Sequence, residues 1–377
     1  MFKFQKYKLN LIFGSVLSLI LFYSSICNFQ GLIDDTFLKE IKSNTFPFID
    51  SNNCVICINS NQDLISYGFP GSGNESDPYR IENLSISTIK DYGIYLENTT
   101  KNVVIQNCYI YAHYRAIEIY NTTENTIIIT NNTLTSDNYF GIFTAKSPCI
   151  KILNNVISDC EQAIEFNDSP FALVANNTLY DNICCIRVEY RSPYSKILEN
   201  NIFNNYEVIW LANSGGHFLI QNNLIANNFL GILLAGAPGP YFPDYCLITQ
   251  NLIESNGWYG VIVESNYNII FHNTFMNNNL EGTSQAKDSG LHNMWCNTSL
   301  QEGNYWSDWW GIGLYLIDGL AKSSDPYPSE KPFDFTSSLT PTIFIGRLIS
   351  VLFGVSYTII VILSFLVVKK LKNRDNK

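Results

Sequence analysis

Four histidines (His113, His217, His272 and His292), ten cysteines and three methionines are the side chains of this chain that could hold a soft metal. They are scattered. Only Cys54-Val55-Ile56-Cys57 has a ligand-like spacing, and no second C-x-x-C completes a zinc site. In a regular strand those two sulfurs would point to opposite faces. No cofactor is therefore expected and copper is disfavoured, with calcium left open.

Carbohydrate cleavage would need a pair of carboxylates flanking the bond, or a base with a cation to acidify the proton it removes. The galacturonase-like set of N-T-D, D-D and G-H-G is missing. Gly215-Gly216-His217-Phe218 is its nearest approach, and Asp34-Asp35 lies ahead of the patterned region. The candidate arginines are Arg80, Arg115, Arg187 and Arg191, with no evident column of carboxylates beside them. No catalytic residue can be assigned. Binding is better provided for, because aromatics make up 14% of the chain and 23 residues are Tyr. Flat rings beside polar groups can stack on sugars. The candidate binding residues are Tyr109, Tyr111, Tyr114, Arg115, Tyr180, Arg187, Tyr190, Arg191 and Trp210.

The elements that would position them repeat. The place of Ile94 recurs at Ile117, Ile142, Ile164, Ile186, Ile209, Ile232 and Val261, in steps of 22 to 29 residues. Two residues further on stand Leu96, Ile119, Thr144, Phe166, Val188, Leu211, Leu234 and Val263, the alternation of a strand with one Thr as exception. A second column reads Cys108, Asn132, Asn155, Asn177, Asn201, Asn223, Asn251 and Asn273, with an apolar residue two places later each time. A period near 23, two or three short strands per period and no helical pattern predict an all-β fold: a right-handed parallel β-helix of about eight or nine coils. Stacked Asn amides can each donate to one coil and accept from the next, so the Asn column is read as structural. Between the columns, Glu165 and Arg187 fall on adjacent coils, about 4.8 Å apart, which predicts a salt bridge. Trp210, Leu233 and Ile262 form an outward apolar stripe, which the Gly236–Tyr245 segment or the tail after Trp306 is expected to cover.

The repeats resemble the right-handed parallel β-helix family of the NosD-like periplasmic copper-binding group and its surface-protein relatives. Gly68-Phe69-Pro70-Gly71-Ser72-Gly73 with Asp77-Pro78-Tyr79-Arg80-Ile81-Glu82 is similar to that group's lead-in to the first coil. Gly303-Asn304-Tyr305-Trp306-Ser307-Asp308-Trp309 is similar to its closing motif. Relatives follow the closing motif with an acidic D-G-x-G-D stretch suggestive of calcium. Here Gly311 to Gly319 keeps glycines but a single acid, Asp318, against the six to eight oxygens calcium needs. The resemblance implies metal handling by name only.

The ends belong to a membrane. Lys3, Lys6 and Lys8 precede an apolar run from Leu9 to Ile26, the pattern of a signal peptide or signal-anchor. Leu348 to Val368 is an uncharged stretch long enough to span a bilayer, and Lys369-Lys370-Leu371-Lys372-Asn373-Arg374 places its far end in the cytoplasm. The expected organisation is a signal or anchor (1–30), a lead-in and cap (31–66), the β-helix (67–300), a closing motif and linker (301–341), a transmembrane helix (342–369) and a basic tail (370–377). Eight N-x-[S/T] sequons suit an extracytoplasmic domain, although Asn131 and Asn176 fall where an inward side chain is expected. Without the basic ends, 15 basic residues face 32 acidic ones, which excludes a nucleic-acid partner. The sequence thus predicts a tethered cell-surface β-helix binding extracellular polysaccharide or a surface protein. A polysaccharide lyase or hydrolase on the same fold is the alternative, and copper handling a second.

Overall fold

The computed structural model describes residues 53–335, apart from Asn138 and residues 237–240. The signal or anchor segment, the transmembrane stretch and the basic tail lie outside the described residues. Among the described residues, no helix is long and apolar enough to cross a membrane.

Three sheets are wound by one chain. The first has ten strands, from Cys54–Ile58 through Tyr92–Glu97, Arg115–Tyr120 and so on to Ala286–Asp288. The second has nine, from Tyr79–Glu82 to Ile269–Phe271, and the third ten, from Ser85–Ser87 to Tyr305–Trp306. Strand neighbours in all three are parallel, and the chain visits each sheet once per turn, so the fold is a parallel β-solenoid of about nine coils. Its core is columns of like on like. Ile94 lies opposite Ile117, Ile117 opposite Ile142, and the column continues through Ile164, Ile186, Ile209, Ile232 and Val261. All are fully buried or nearly so. The exception in the next column, Thr144, is also fully buried, and its hydroxyl has no partner. Thr144→Val keeps the shape and removes that orphan. It is expected to stabilise the fold by about 1–2 kcal/mol, which a urea titration would show as a higher midpoint at unchanged slope.

The strands of the first sheet do not alternate simply. In several, two successive residues face the core, as Ala116-Ile117, Ala163-Ile164, Cys185-Ile186 and Val208-Ile209 do. This bend brings the residue before the pair and the residue after it onto the same outer face. Tyr92 therefore meets Tyr95 with ring centroids 5.7 Å apart, and Phe140 meets Phe143 at 5.2 Å. Cys54 and Cys57 occupy the same two places on the first strand and are joined as a disulfide, with Cα atoms 5.6 Å apart. The expectation that their sulfurs diverge assumed a regular strand and is corrected by the bend. Cys160, Cys184 and Cys185 are buried free thiols.

Polar ladders fix the turns. Asn132, Asn155 and Asn177 stand in one column: the Asn155 Oδ1 accepts the backbone N–H and the Nδ2–H of Asn132, both at 3.0 Å, while its own Nδ2 donates to the Ile129 carbonyl. The column continues through Asn200, Asn223, Asn251 and Asn273 to Asn304, and ends on the Asp325 carboxylate, which accepts the Asn304 N–H at 2.7 Å. Asn201 is thus displaced from its expected place. It opens a strand of the third sheet opposite Thr178 and Leu224, and the ladder residue is its neighbour Asn200. The residue before most ladder members takes the left-handed conformation, with φ near 55° at Asn131, Asn154, Asn176, Glu199 and Asn222. Short polar side chains tolerate that region best. Asn131 and Asn176 are exposed there, not inward as expected.

Both flanking motifs close the ends. At Gly71 a Cβ would sit 2.0 Å from the Pro78 carbonyl oxygen, so only glycine lets the lead-in loop cross so closely. At the other end Trp306 stacks on Phe275 at 4.2 Å and Tyr315 stacks on Trp306 at 4.1 Å, sealing the core with rings. Asn304 terminates the ladder, and Asp308 accepts from Gln285 Nε2 at 2.6 Å and from the Tyr315 hydroxyl at 3.1 Å.

Candidate functional site

The outer face of the first sheet carries a row of charged and aromatic side chains. Five coils in succession present Arg115 with Glu118, Phe140 with Phe143, Gln162 with Glu165, Cys184 with Arg187, and Glu207 with Trp210. At the inter-strand spacing this strip is about 19 Å long. Arg115 bonds Glu118 at 2.5 Å, and its guanidinium centre lies 4.1 Å from the Phe143 ring centroid and 4.8 Å from those of Phe140 and Tyr114. Three rings and a carboxylate thus cage one cation. Arg187 donates from Nε to Glu189 at 2.8 Å and lies 4.4 Å from the Trp210 ring centroid.

The register puts Arg187 opposite Glu165, as the repeat required, but the two form no salt bridge. Arg187 turns to Glu189, two residues on along the same face, and Glu165 accepts from Asn167 Nδ2 at 2.7 Å. Glu165 is buried. Burial, reinforced by the nearby Glu189 carboxylate, pushes its acid up to about 7. Burial also raises Glu118, although the Arg115 charge opposes the shift, and raises Glu207. A carboxyl held above its unfolded value of 4.5 keeps its proton longer in the folded state. Its stabilising contribution is therefore complete below that value and is lost as the pH climbs through about 7. The protein is expected to lose about 3 kcal/mol of stability over this window from Glu165 alone. Denaturation at pH 5 and pH 8 should show the loss, and Glu165→Gln should flatten it; an unchanged slope in the variant would refute the assignment.

Three buried polar atoms on this strip have no partner: Arg115 Nε, Gln162 Oε1 and Trp210 Nε1. Buried polar groups are normally satisfied; four further orphans, at Thr122, Thr144, Asn201 and Trp309, lie off the strip among the described residues. Of the residues singled out from the sequence, Arg115, Arg187 and Trp210 lie on the strip. Tyr114 borders it through Tyr92 and Phe140, with ring centroids 6.1 and 6.2 Å away. Tyr190 and Arg191 form the left-handed turn beyond Glu189, where the Arg191 guanidinium lies 5.3 Å from the Tyr241 ring. Tyr109, Tyr111 and Tyr180 belong instead to the third sheet. The Tyr111 hydroxyl donates to Asp137, and Tyr180 stacks on Phe203 at 5.4 Å.

The expected apolar stripe is not an open surface: Ile262 is buried, and Trp210 and Leu233 are half-buried. The described ends of the Gly236–Tyr245 segment run along the turns at Gly215 and His217 rather than along the sheet, with Gly215 N–H donating to the Tyr241 carbonyl and His217 N–H to that of Asp244.

Two ladders escaped the sequence reading. A second Asn column runs from Asn182 through Asn205, Asn228, Asn256 and Asn278 to Gln285, and ends on Asp308. Its signal was a second Asn set at steps of 22, 23 and 28 residues. Phe171, Tyr194, His217, Tyr245, Tyr267 and His292 form a continuous stack with centroids 4.7–5.3 Å apart, all at φ near 60°. Rings so stacked spend their faces on each other and offer ligands only edges. These tyrosines are therefore poor sugar platforms.

Over residues 34–215 and 139–311 the sequence matches the model of the family described as "Periplasmic copper-binding protein (NosD)". The chain belongs to the NosD family. That description places the family in the periplasm, in keeping with an extracytoplasmic β-helix. No curated protein and no solved structure matches the chain. The copper of the family description finds no fitting donor set among the described residues of this NosD-family chain. No three His, Cys, Asp or Glu side chains converge there. His217 and His292 are separated in their stack by Tyr245 and Tyr267, and His272 bonds Glu302 at 2.7 Å. Nor does the Gly311–Gly319 loop offer calcium a set of oxygens, since the carboxylate of Asp318 accepts from Thr283 and Tyr259.

Proposed function

We propose that this NosD-family protein is a membrane-tethered, extracytoplasmic β-helix that holds an extracellular polysaccharide across the outer face of its first sheet. The observation that carries the reading is the set of unpartnered atoms at Arg115, Gln162 and Trp210. A saccharide supplies hydroxyls that both donate and accept, which these two donors and one acceptor require. The indole of Trp210 and the stacked Arg187 add a flat apolar wall. Five carboxylates (Glu97, Glu118, Glu165, Glu189 and Glu207) outnumber the two arginines on that face, so the favoured ligand is a neutral polysaccharide. An acidic one would need a bridging cation. A folded protein partner fits less well, because a charged strip of this length is small against the roughly 800 Å² per partner of a stable interface.

Catalysis is the second reading, favoured by one observation. Glu165, with its acid raised to about 7, shares the face with Glu189 and Arg187. A carboxylic acid that remains protonated near neutrality can serve as a general acid beside an ionised partner. Native electrophoresis of the detergent-solubilised protein through gels cast with neutral and acidic polysaccharides separates the readings. Retardation by a neutral polymer without clearing is expected, cleared zones would make the protein an enzyme, and unaltered migration on every polymer would refute both. Copper loading followed by washing is expected to leave less than a molar equivalent of metal by inductively coupled plasma analysis. A stoichiometric residue would bring the copper reading back.

A further inference from the structure

The end of a solenoid needs a cap whose inner side seals the core and whose outer side is polar, because an apolar outer side invites association. The C-terminal cap meets the first requirement and breaks the second. Its inner residues Tyr315 and Ile317 are buried against the core. Its outer residues Trp310, Ile312, Leu316 and Leu320 are 94%, 88%, 69% and 87% exposed. The four fall within eleven residues of one cap segment, with Leu314 half exposed among them, and concentrations of exposed apolar side chains mark interaction sites.

The surface is held firmly. Tyr315–Leu316 pairs antiparallel with Ser324–Asp325, Asp318 N–H donates to the Ala286 carbonyl and Ala321 N–H to that of Asp288. Gly311 and Gly313, both in the left-handed region, carry Trp310 and Ile312 clear of the rest of the protein, with no atom within 4 Å of where their own Cβ atoms would be.

Where the chain leaves the solenoid names the occupant. Phe333 N–H donates to Thr274 Oγ1 at 3.0 Å and its ring lies 4.8 Å from that of His272, so the chain departs from the last coils, the end that carries the cap. Residues 336–347 separate the last described residue from the uncharged run that begins at Leu348. Fully extended, such a segment reaches about 40 Å. The apolar cap and the exit toward that run therefore share one end of the molecule. Trp is the residue that most favours the headgroup boundary, where an apolar ring with one polar atom is at home.

We propose that the C-terminal cap docks on the bilayer, with Trp310, Ile312, Leu316 and Leu320 seated at the boundary of headgroups and hydrocarbon, so that the solenoid stands on its last coil. This inference rests on the tethered reading for its geometry, and the test separates the two. The full chain is mixed with phosphatidylcholine vesicles carrying brominated acyl chains, and tryptophan quenching is recorded for wild type and Trp310→Phe. The six tryptophans lie between positions 210 and 310, none in the apolar run, so bromine in the bilayer reports on the cap. Wild type is expected to be quenched, and Trp310→Phe to lose about half of the quenching or more. Trp310 is too exposed for this change to disturb folding. No quenching in wild type, or equal quenching in the variant, would overturn the proposal. So would Trp310 shielded in a dimer crosslinked through the cap. An alkaline carbonate wash reports on the tether separately. Protein that resists the wash but is not quenched keeps the span and loses the docking, and protein that washes off after Trp310-dependent quenching does the reverse.

Discussion

Asn223→Ala is expected to destabilise the protein by about 3–6 kcal/mol, the largest effect of any single change considered. Asn223 is fully buried. Its Oδ1 accepts the backbone N–H of Asn200 at 2.9 Å and the Asn200 Nδ2–H at 3.0 Å. Its Nδ2 donates to the carbonyls of Ile197 and Gln221 and to Asn251 Oδ1. Alanine removes all of these and leaves two donors and a carbonyl of neighbouring coils facing apolar surroundings. Water does not reach them. Each orphan of this kind costs roughly 1–3 kcal/mol, and coils contact only their neighbours, so the loss cannot be shared widely. Asn223→Asp is a sharper test, because a carboxylate can accept from Asn200 but cannot donate onward. The protein uses Asp where a ladder ends, at Asp325 and Asp308, and Asn within it. Asn223→Asp should therefore also cost several kcal/mol. Equilibrium urea unfolding would measure both, and a loss under about 1 kcal/mol for alanine would show that the ladder is ornamental.

Removing Arg187 or Trp210 is expected to weaken polysaccharide retention by roughly tenfold or more, the size of a hot-spot loss near 1.4–2 kcal/mol. Arg187 is held between the Trp210 ring and Glu189. Alanine at 187 frees the indole from its position and removes the guanidinium donors beside Glu189 and Glu165, so the flat wall and its hydrogen bonds to a sugar are lost together. Alanine at 210 deletes the apolar wall and an unpartnered donor together. Both side chains are only part-buried, so stability should change far less than binding. Tyr109→Ala is the control, since Tyr109 is exposed on the third sheet, away from the strip. Equal losses from all three variants would mean that binding, if present, is diffuse.

The solenoid was readable because its order is columnar. Ile94, Ile117 and their successors recur at one coil length, and a column of β-branched residues can be detected without knowing any angle. Where two asparagines adjoin, as at Asn200 and Asn201, the period leaves the choice open by one residue, and only the hydrogen bonds decide it. Gly93, Ala116, Gly141 and Ala163 before the inward Ile carried the bend of the first sheet, as small residues that fit a corner. Strict alternation conceals that signal, and with it the meeting of Cys54 with Cys57 and of Arg115 with Glu118. The partner of Arg187 was missed for a related reason. Register fixes which Cα atoms face each other, but a long side chain can also reach Glu189 on its own strand. The cluster of raised acids depends on burial, which composition does not reveal.

On this reading a neutral polysaccharide lies on the first sheet's outer face at Arg187 and Trp210. Affinity electrophoresis of wild type, Arg187→Ala and Trp210→Ala in one gel series tests it most directly. A neutral polymer should retard the wild-type protein, and both variants should migrate nearly as in a plain gel, with their unfolding midpoints close to wild type. Wild-type retardation that survives both substitutions would contradict it.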